Sequence, residues 1–225
     1  MQCYRSGGCG PYENRSCSEC PASKPEYLAK GSTKDAPKKE ETLKVAKKFY
    51  ISDWHYGHKN ILAYDNRPFK SVEEMNKVLV DRWNNTVHPG DLVFVLGDMF
   101  WCTEECAIPI LQSLNGTKIL IAGNHDTYKK QAFREQFAQI ADYMEIKDRE
   151  RNVVLFYYPI PCFKNHFNGW YHLYGHVHNS FESNMMEHDK MLQQELYGHQ
   201  CNMFNVGAMM PWMDYTPRTL DEIIR

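Results

Sequence analysis

Four short apolar segments of this 225-residue chain are each followed by side chains that can bind a metal ion. Side chains two positions apart on an extended strand point to the same side, so Asp53 and His55 can reach one ion. The same spacing aligns His176 with His178. Carboxylate, imidazole and amide ligands together suit Mn, Fe, Ni or Zn better than Ca or Mg alone. The residues that follow the four segments are Asp53-Trp54-His55, Gly97-Asp98, Gly123-Asn124-His125-Asp126 and Gly175-His176-Val177-His178.

A carboxylate such as Asp98 can bridge two metal ions. Two ions about 3.5–4 Å apart clamp a phosphate group for in-line displacement, and they lower the pKa of bound water towards about 7. Each motif is weak evidence alone, because Asp-Xaa-His is more often a surface turn and Asn124-His125-Asp126 also suits a helix N-cap. Their joint occurrence, each at a strand end, favours a shared metal site.

The elements that must position these residues follow from the periodicity of apolar side chains. The pattern predicts helices at residues 71–87, 103–114 and 128–140. Alternating strands and helices in the first half indicate βαβ crossovers, and the strand-rich second half indicates a further sheet packed on the first. Ligands gather beyond the carboxyl ends of strands in such folds. Strands are predicted at residues 49–53, 91–97, 118–122, 153–158, 170–174 and 203–206.

The net charge and the apolar runs of the chain limit the kinds of molecule that we expect it to bind. The formal net charge is −2, so no overall basic field predicts attraction to nucleic acid or to an anionic membrane. The first residues include no apolar stretch of signal-peptide length, and the longest apolar runs have the length of strands. We therefore expect a cytoplasmic protein without a membrane span, whose cysteines are thiols or metal ligands.

Four cysteines crowd the first twenty residues. Cys17 and Cys20 have the spacing of a chelating pair, and Cys3 with Cys9 completes a possible four-thiolate structural zinc site. The alternative is a disordered arm with incidental thiols. The sequence thus predicts a Cys-rich segment over residues 1–30, a linker rich in Lys, Glu, Ser, Thr and Pro over residues 31–46, and a main domain over residues 47–225.

The four metal-binding motifs together resemble the signature blocks of the calcineurin-like metallophosphoesterase superfamily. The likeness covers about residues 47–225. It extends to a small single-domain bacterial and phage branch through further motifs. The resemblance implies an α/β fold with two packed mixed β-sheets flanked by helices, a four-layer sandwich with metals at one end. The further motifs are Gly57-His58-Lys59-Asn60-Ile61, Asn66-Arg67-Pro68-Phe69, Asn205-Val206-Gly207 and Leu220-Asp221-Glu222-Ile223.

The resemblance also implies roles for the metal ligands. The first metal is expected on Asp53, His55 and His178. Asp98 is expected to bridge the two metals. The second metal is expected on Asn124 and His176.

Residues around the metals also receive roles from the resemblance. His125 is expected to contact the phosphate and protonate the leaving oxygen, with Asp126 orienting it. His58 is either a substrate contact or a surface histidine after the first strand.

One position departs from the family pattern. Tyr157, within Phe156-Tyr157-Tyr158-Pro159, stands where the family usually has a histidine ligand of the second metal. A phenol is a poor ligand for Zn or Mn unless it is deprotonated. Tyr157 then ligates iron, or His166 or His172 substitutes, or the second metal is bound weakly.

The function that these features predict is metal-dependent hydrolysis of a phosphomonoester or phosphodiester by metal-activated hydroxide at a dinuclear site. The expected partner is a small phosphate ester or a nucleotide, and nucleic acid is not the expected substrate. A different class remains open, since a phosphoesterase fold with an impaired second metal site can serve as a binding or scaffold protein.

Overall fold

The computed structural model describes residues 45–126 and 129–225. The zinc site expected at Cys3, Cys9, Cys17 and Cys20 lies outside the described residues, as does all but the end of the expected linker. The described chain forms one unit from Val45 to Arg225. Among the described residues, none of the helices combines the length and hydropathy that crossing a bilayer requires.

The first sheet has five strands in the order β4-β3-β2-β1-β9. Strands β1 to β4 run parallel, as the βαβ pattern predicts, and β9 is antiparallel to β1. All the carboxyl ends of β1 to β4 therefore meet at one edge. The bounds are β1 Lys48–Ile51, β2 Leu92–Leu96, β3 Thr117–Ile121, β4 Gln139–Ala141 and β9 Arg218–Thr219.

The second sheet has four strands in the order β5-β6-β7-β8. Strands β5 and β6 are antiparallel, and the other two pairings are parallel. Both sheets are mixed, and helices flank them, so the predicted α/β fold of two mixed sheets is confirmed. The bounds are β5 Tyr143–Asp148, β6 Arg151–Phe156, β7 Tyr171–Tyr174 and β8 Met203–Asn205.

Six helices and one short 3₁₀ turn, His166–Asn168, connect the strands of the described chain. The second helix shows why they form where they do: the Ser71 hydroxyl accepts a hydrogen bond from the Glu74 N–H at 3.2 Å and starts the helix. Its stripe of Met75, Leu79 and Trp83 is buried, as the helical spacing predicts. The helices are α1 Ile61–Tyr64, α2 Val72–Thr86, α3 Glu104–Ser113, α4 Gln131–Arg134, α5 Phe181–Tyr197 and α6 Leu220–Ile223.

The helix predicted for residues 128–140 is largely wrong. Only α4 forms, and β4 follows it. The reason is tertiary: the Ala138 N–H donates to the Lys118 carbonyl at 2.9 Å, so the chain joins the edge of β3 instead of continuing as a helix. Helix α5 is a 17-residue element that the apolar pattern did not predict.

The main core lies between the two sheets. Buried residues of β1 and β2 belong to one apolar cluster with buried residues of β6 and β7, including Ile51, Val95, Leu155 and Leu173. Burying apolar surface on both inner faces holds the sheets together. The strand ends that carry the polar motifs are therefore anchored in the best-packed part of the molecule.

Candidate metal centre

Three of the predicted ligands form a compact cluster. Asp53, His55 and His178 each offer one ligand atom, and these atoms all lie within 4.8 Å of one another. Asp53 Oδ1 is 3.3 Å from His178 Nε2 and 4.0 Å from His55 Nε2. Asp53 and His55 follow β1 and His178 follows β7, so the cluster joins the two sheets.

The backbone at the candidate ligands is left-handed. Ten non-glycine residues of the described chain have positive φ, and five of them are predicted ligands with φ between 48° and 69°. Non-glycine residues seldom adopt this conformation, and where they do the strain is often part of a functional site. The five are Asp53, His55, Asp98, His176 and His178.

The donor set fits a transition metal. His55 is buried, and its Nε2 atom has no hydrogen-bond partner. An unpaired nitrogen in a buried site is costly unless a ligand satisfies it. Asp98 Oδ2 lies 3.8 Å away and Asp53 Oδ1 lies 4.0 Å away, both close enough to share an ion with this nitrogen. Two imidazoles with carboxylates suit Zn, Mn or Fe.

Neighbouring groups fix the Asp53 carboxylate. Its Oδ2 accepts hydrogen bonds from the Ser52 hydroxyl at 2.7 Å and from the His176 N–H at 3.0 Å. Burial opposes ionisation of Asp53, but His178, His55 and Ser52 outweigh it and hold the pKa below its ordinary value. A Cβ at Gly175 would overlap the Ser52 hydroxyl, so only glycine allows the strand β7 to approach this closely.

Two residues that sequence reasoning missed orient His178. Asp65 Oδ1 lies 2.6 Å from His178 Nδ1, and Arg67 holds the other Asp65 oxygen at 2.9 Å. Burial disfavours the charged imidazole, but Asp53 and Asp65 outweigh it and raise the pKa of His178 to about 10. Carboxylates that bond the far nitrogen of a metal-binding histidine set its tautomer and orientation. Arg67 belongs to a family motif, whereas no local signal marks Asp65.

Asp98 and Asp126 connect two of the strand ends. Asp98 Oδ1 accepts from the His125 N–H at 3.0 Å, and burial raises the pKa of Asp98. The Asp126 carboxylate accepts from the N–H groups of Gly123, Asp98 and Met99 at 2.8–3.0 Å. Burial raises the pKa of Asp126 to about 6. Asp126 thus fastens the loop after β3 to the loop after β2, and among the described residues it makes no hydrogen bond to the His125 ring.

Tyr157 reaches the carboxylate cluster from the strand end after β6. Its side chain is buried, and its hydroxyl donates to Asp53 Oδ1 at 3.1 Å. Burial, followed by the charges of Asp53 and Asp98, raises the pKa of the Tyr157 phenol well above its ordinary value. The Tyr157 side chain therefore places a protonated hydroxyl, which is a hydrogen-bond donor, beside the carboxylates.

The suggestion that His166 or His172 replaces the missing ligand is wrong. His172 is fully buried, with Nε2 accepting from the Ile160 N–H at 3.1 Å and Nδ1 3.2 Å from the Val154 carbonyl. Both ring nitrogens are therefore engaged. His166 stacks on Phe167 with ring centroids 3.8 Å apart, and neither histidine lines the cavity beside the metal cluster.

A cavity of about 550 Å³ opens over the cluster and takes in the remaining predicted site residues. Asp53 and Asp126 are not among the residues that line it. Trp101 stacks on His58 with ring centroids 4.0 Å apart and lies 4.5 Å from the His125 ring. The predicted residues that line the cavity are His55, His58, Asp98, Asn124, His125, Tyr157, His176 and His178.

Comparison with known proteins agrees with this geometry. Residues 49–212 match the family described as calcineurin-like phosphoesterase, and the chain belongs to that family. It is therefore a metal-dependent phosphoesterase by family. The superfamily that the sequence motifs resemble is confirmed.

Three individual proteins are similar to the chain. An uncharacterized protein of Methanocaldococcus jannaschii, MJ1445, is 38% identical over 138 residues, which cover 60% of this chain and 72% of that protein. The Gene 66 protein of Mycobacterium phage L5 is 35% identical over 81 residues, covering 35% of this chain and 39% of that protein. The solved structure of AQ665 from Aquifex aeolicus, a protein of unknown function, has a TM-score of 0.60 and 26% identity, covering 80% of this chain and 98% of that one.

Proposed function

We propose that the chain hydrolyses a phosphomonoester or phosphodiester of a small molecule or nucleotide at the cavity above Asp53. One observation carries the proposal: the unpartnered His55 Nε2 lies between the carboxylates of Asp53 and Asp98, at the floor of an open cavity. A cation bound there would satisfy this buried nitrogen and offset the charges of the two carboxylates.

The first metal is assigned to Asp53, His55, Asp98 and His178, and a second to Asp98, Asn124 and His176. A metal bound at such a site activates water and neutralises phosphate oxygens. Three features of the chain fix these side chains in position. The left-handed backbone aims them, Asp65 fixes the His178 ring, and Asp126 binds two of the supporting loops together.

His125 is assigned the proton transfer to the leaving oxygen. Its ring lines the cavity, its N–H is fixed by Asp98, and Trp101 packs 4.5 Å from it. An imidazole can carry a proton and hand it to a bound oxygen, which suits a general acid. The Asp126 carboxylate contributes by positioning the backbone of the His125 loop.

The second metal is expected to bind more weakly than the first. Tyr157 directs a hydroxyl donor at Asp53 from the place where the family usually has an imidazole. Loss of one neutral nitrogen ligand leaves Asn124 and His176 as the only separate ligands of that ion. The same feature favours the alternative of a phosphoesterase fold that acts as a binding protein with little turnover.

Hydrolysis of bis(4-nitrophenyl) phosphate and of 4-nitrophenyl phosphate, with and without added Mn²⁺, tests the proposal. We expect Mn-dependent release of nitrophenol, lost at least about 100-fold in Asp98→Asn. Gln194→Glu, an exposed change on α5, is the matched control and keeps the wild-type rate. A hydrolysis rate that changes neither on addition of Mn²⁺ nor in Asp98→Asn would refute the enzyme proposal. Binding of Mn²⁺ without hydrolysis would favour the alternative of a binding protein.

A further inference from the structure

Helix α5 exposes most of its large apolar residues, and the side that it packs against the protein is mixed. A surface helix ordinarily turns its apolar stripe towards the core. In α5 the packed side carries Ser183, Met186, Lys190 and Gln193. The Gln193 amide donates to the Pro161 carbonyl at 3.1 Å, so this contact is polar.

The solvent side of α5 carries a stripe of large apolar residues at helical spacing. Phe181, Met185, Leu192 and Leu196 follow one another four, seven and four residues apart, and we call these four the α5 stripe. Phe181 is 76% exposed, Leu196 is 64% exposed, and Met185 and Leu192 are 50% and 42% exposed. At 100° per residue the stripe lies on the side opposite Met186 and Lys190. Exposed apolar side chains that share one face of a helix suit an interaction site.

The stripe is palindromic along the helix. An antiparallel pairing about the point between residues 188 and 189 places Phe181 of one copy opposite Leu196 of the other. The same two-fold axis places Met185 opposite Leu192. A 17-residue helix offers about 25 Å of such contact. A two-fold interface must be self-complementary in this way.

The polar residues at the centre of the stripe are also complementary. The two-fold axis brings His188 of each copy to the height of Asp189 of the other. An imidazole N–H can donate a hydrogen bond to a carboxylate, so His188 of each copy can bond to Asp189 of the other at the centre of the interface. A groove of about 480 Å³ runs beside the stripe, between α5 and Pro161, with room for side chains of a second helix.

We propose that the α5 stripe is the surface on which two copies of this chain form an antiparallel two-fold dimer. This inference does not depend on the proposed catalysis. The N-terminal end of α5 borders the cavity, since Ser180 and Glu182 line it, and the rest of the stripe continues along the helix.

Sedimentation equilibrium of the full chain tests the dimer. We expect a mass of two chains for wild type, and of one chain for Met185→Lys and for Leu192→Glu measured alone. Gln194→Glu adds a charge on the same helix but off the stripe, and stays dimeric. A wild-type chain that sediments as one chain across the micromolar range overturns the proposal.

A mixing experiment tests the register. Antiparallel pairing sets residue 185 of one copy against residue 192 of the other, so an equimolar mixture of Met185→Lys and Leu192→Glu regains a dimer through a Lys–Glu pair. Recovery only in the mixture supports the two-fold arrangement. A mixture that stays monomeric, with both variants folded by circular dichroism, overturns it.

Discussion

The Asp65 carboxylate lies 2.6 Å from Nδ1 of His178, although the two residues are 113 positions apart. His178 follows the second sheet, and Asp65 follows a helix attached to the first. Arg67 fixes Asp65 in turn and also donates to the Asp53 carbonyl at 2.9 Å. The pair therefore ties the orientation of one proposed metal ligand to the backbone of another.

Asp65→Asn is expected to weaken metal binding about 10- to 100-fold, because the amide does not hold the His178 ring as the carboxylate does. Isothermal titration of the metal-free protein with Mn²⁺ measures the change. Lys77→Met, which removes an exposed ion pair with Asp81 on α2, serves as the control. An unchanged affinity in Asp65→Asn would show that Asp65 does not position His178.

Metal uptake is expected to depend on pH through His178. Asp53 and Asp65 raise the pKa of this imidazole to about 10, so at neutral pH an incoming ion must displace a proton. The apparent affinity then rises as pH increases towards 10 and levels off above it. Titrations in buffers of different ionisation enthalpy count the protons released. Binding without proton release at pH 7 would contradict this account.

Tyr157→His is expected to raise the metal content from one towards two ions per chain and to increase phosphodiester hydrolysis. The imidazole supplies the neutral nitrogen that the phenol lacks. Plasma mass spectrometry after dialysis measures the stoichiometry. Tyr157→Phe is the control, since it removes the hydrogen bond to Asp53 without adding a ligand, and its metal content stays at one. Equal content in all three proteins would refute weak second-site binding.

Gly175→Ala is expected to destabilise the fold and to displace Asp53. The new Cβ overlaps the Ser52 hydroxyl and stands 2.5 Å from Asp53 Oδ2. Overpacking of this kind costs about 1–3 kcal/mol, and it also disturbs a metal ligand. Urea unfolding and Mn²⁺ titration measure the two effects. Gly90→Ala is the matched control, because nothing lies within 4 Å of its Cβ position.

The stability of the protein is expected to fall as pH drops below 6.5, partly through His172. Burial lowers the pKa of this histidine to about 4, and its Nε2 accepts a hydrogen bond that an added proton would break. The unfolded chain then binds the proton more readily than the folded chain, so acid favours unfolding by up to about 3 kcal/mol near pH 4.

His172→Gln is expected to be less stable at pH 7 but to lose less stability on acidification. Urea unfolding at pH 7 and pH 5 gives the difference in slope. His199→Gln, an exposed change just after α5, controls for loss of one histidine. Parallel pH profiles for wild type and His172→Gln would contradict the assignment.

The strands that carry the ligands were predictable because their burial leaves a continuous apolar run. Leu92–Leu96 is buried on both faces and ends at Gly97-Asp98, a pattern visible without a structure. Helix α5 was missed because many polar residues separate its apolar ones, so no dense apolar face stands out in the sequence. Strand β5 was missed because one of its faces is exposed.

The candidate site also contains features that the sequence predicts and features that it does not. The ligand motifs lie within a few residues of one another and of a strand end, so spacing alone brings them together. The contact between Asp65 and His178 depends on how the two sheets pack, and a single sequence holds no local signal for it. Tyr157 was recognised only because a family pattern has histidine there.

The five proposed ligand residues with left-handed backbone form a set of donor groups that is already in place before an ion binds, as in a preorganised macrocyclic chelator. Their unfavourable dihedrals are imposed by the packed sheets when the chain folds, so ion uptake needs little rearrangement. A rigid set of donors cannot contract around a small ion or spread around a large one. Discrimination at this centre is therefore expected to follow ionic radius, with cations that match the fixed spacing of Asp53, His55 and His178 preferred over larger ones.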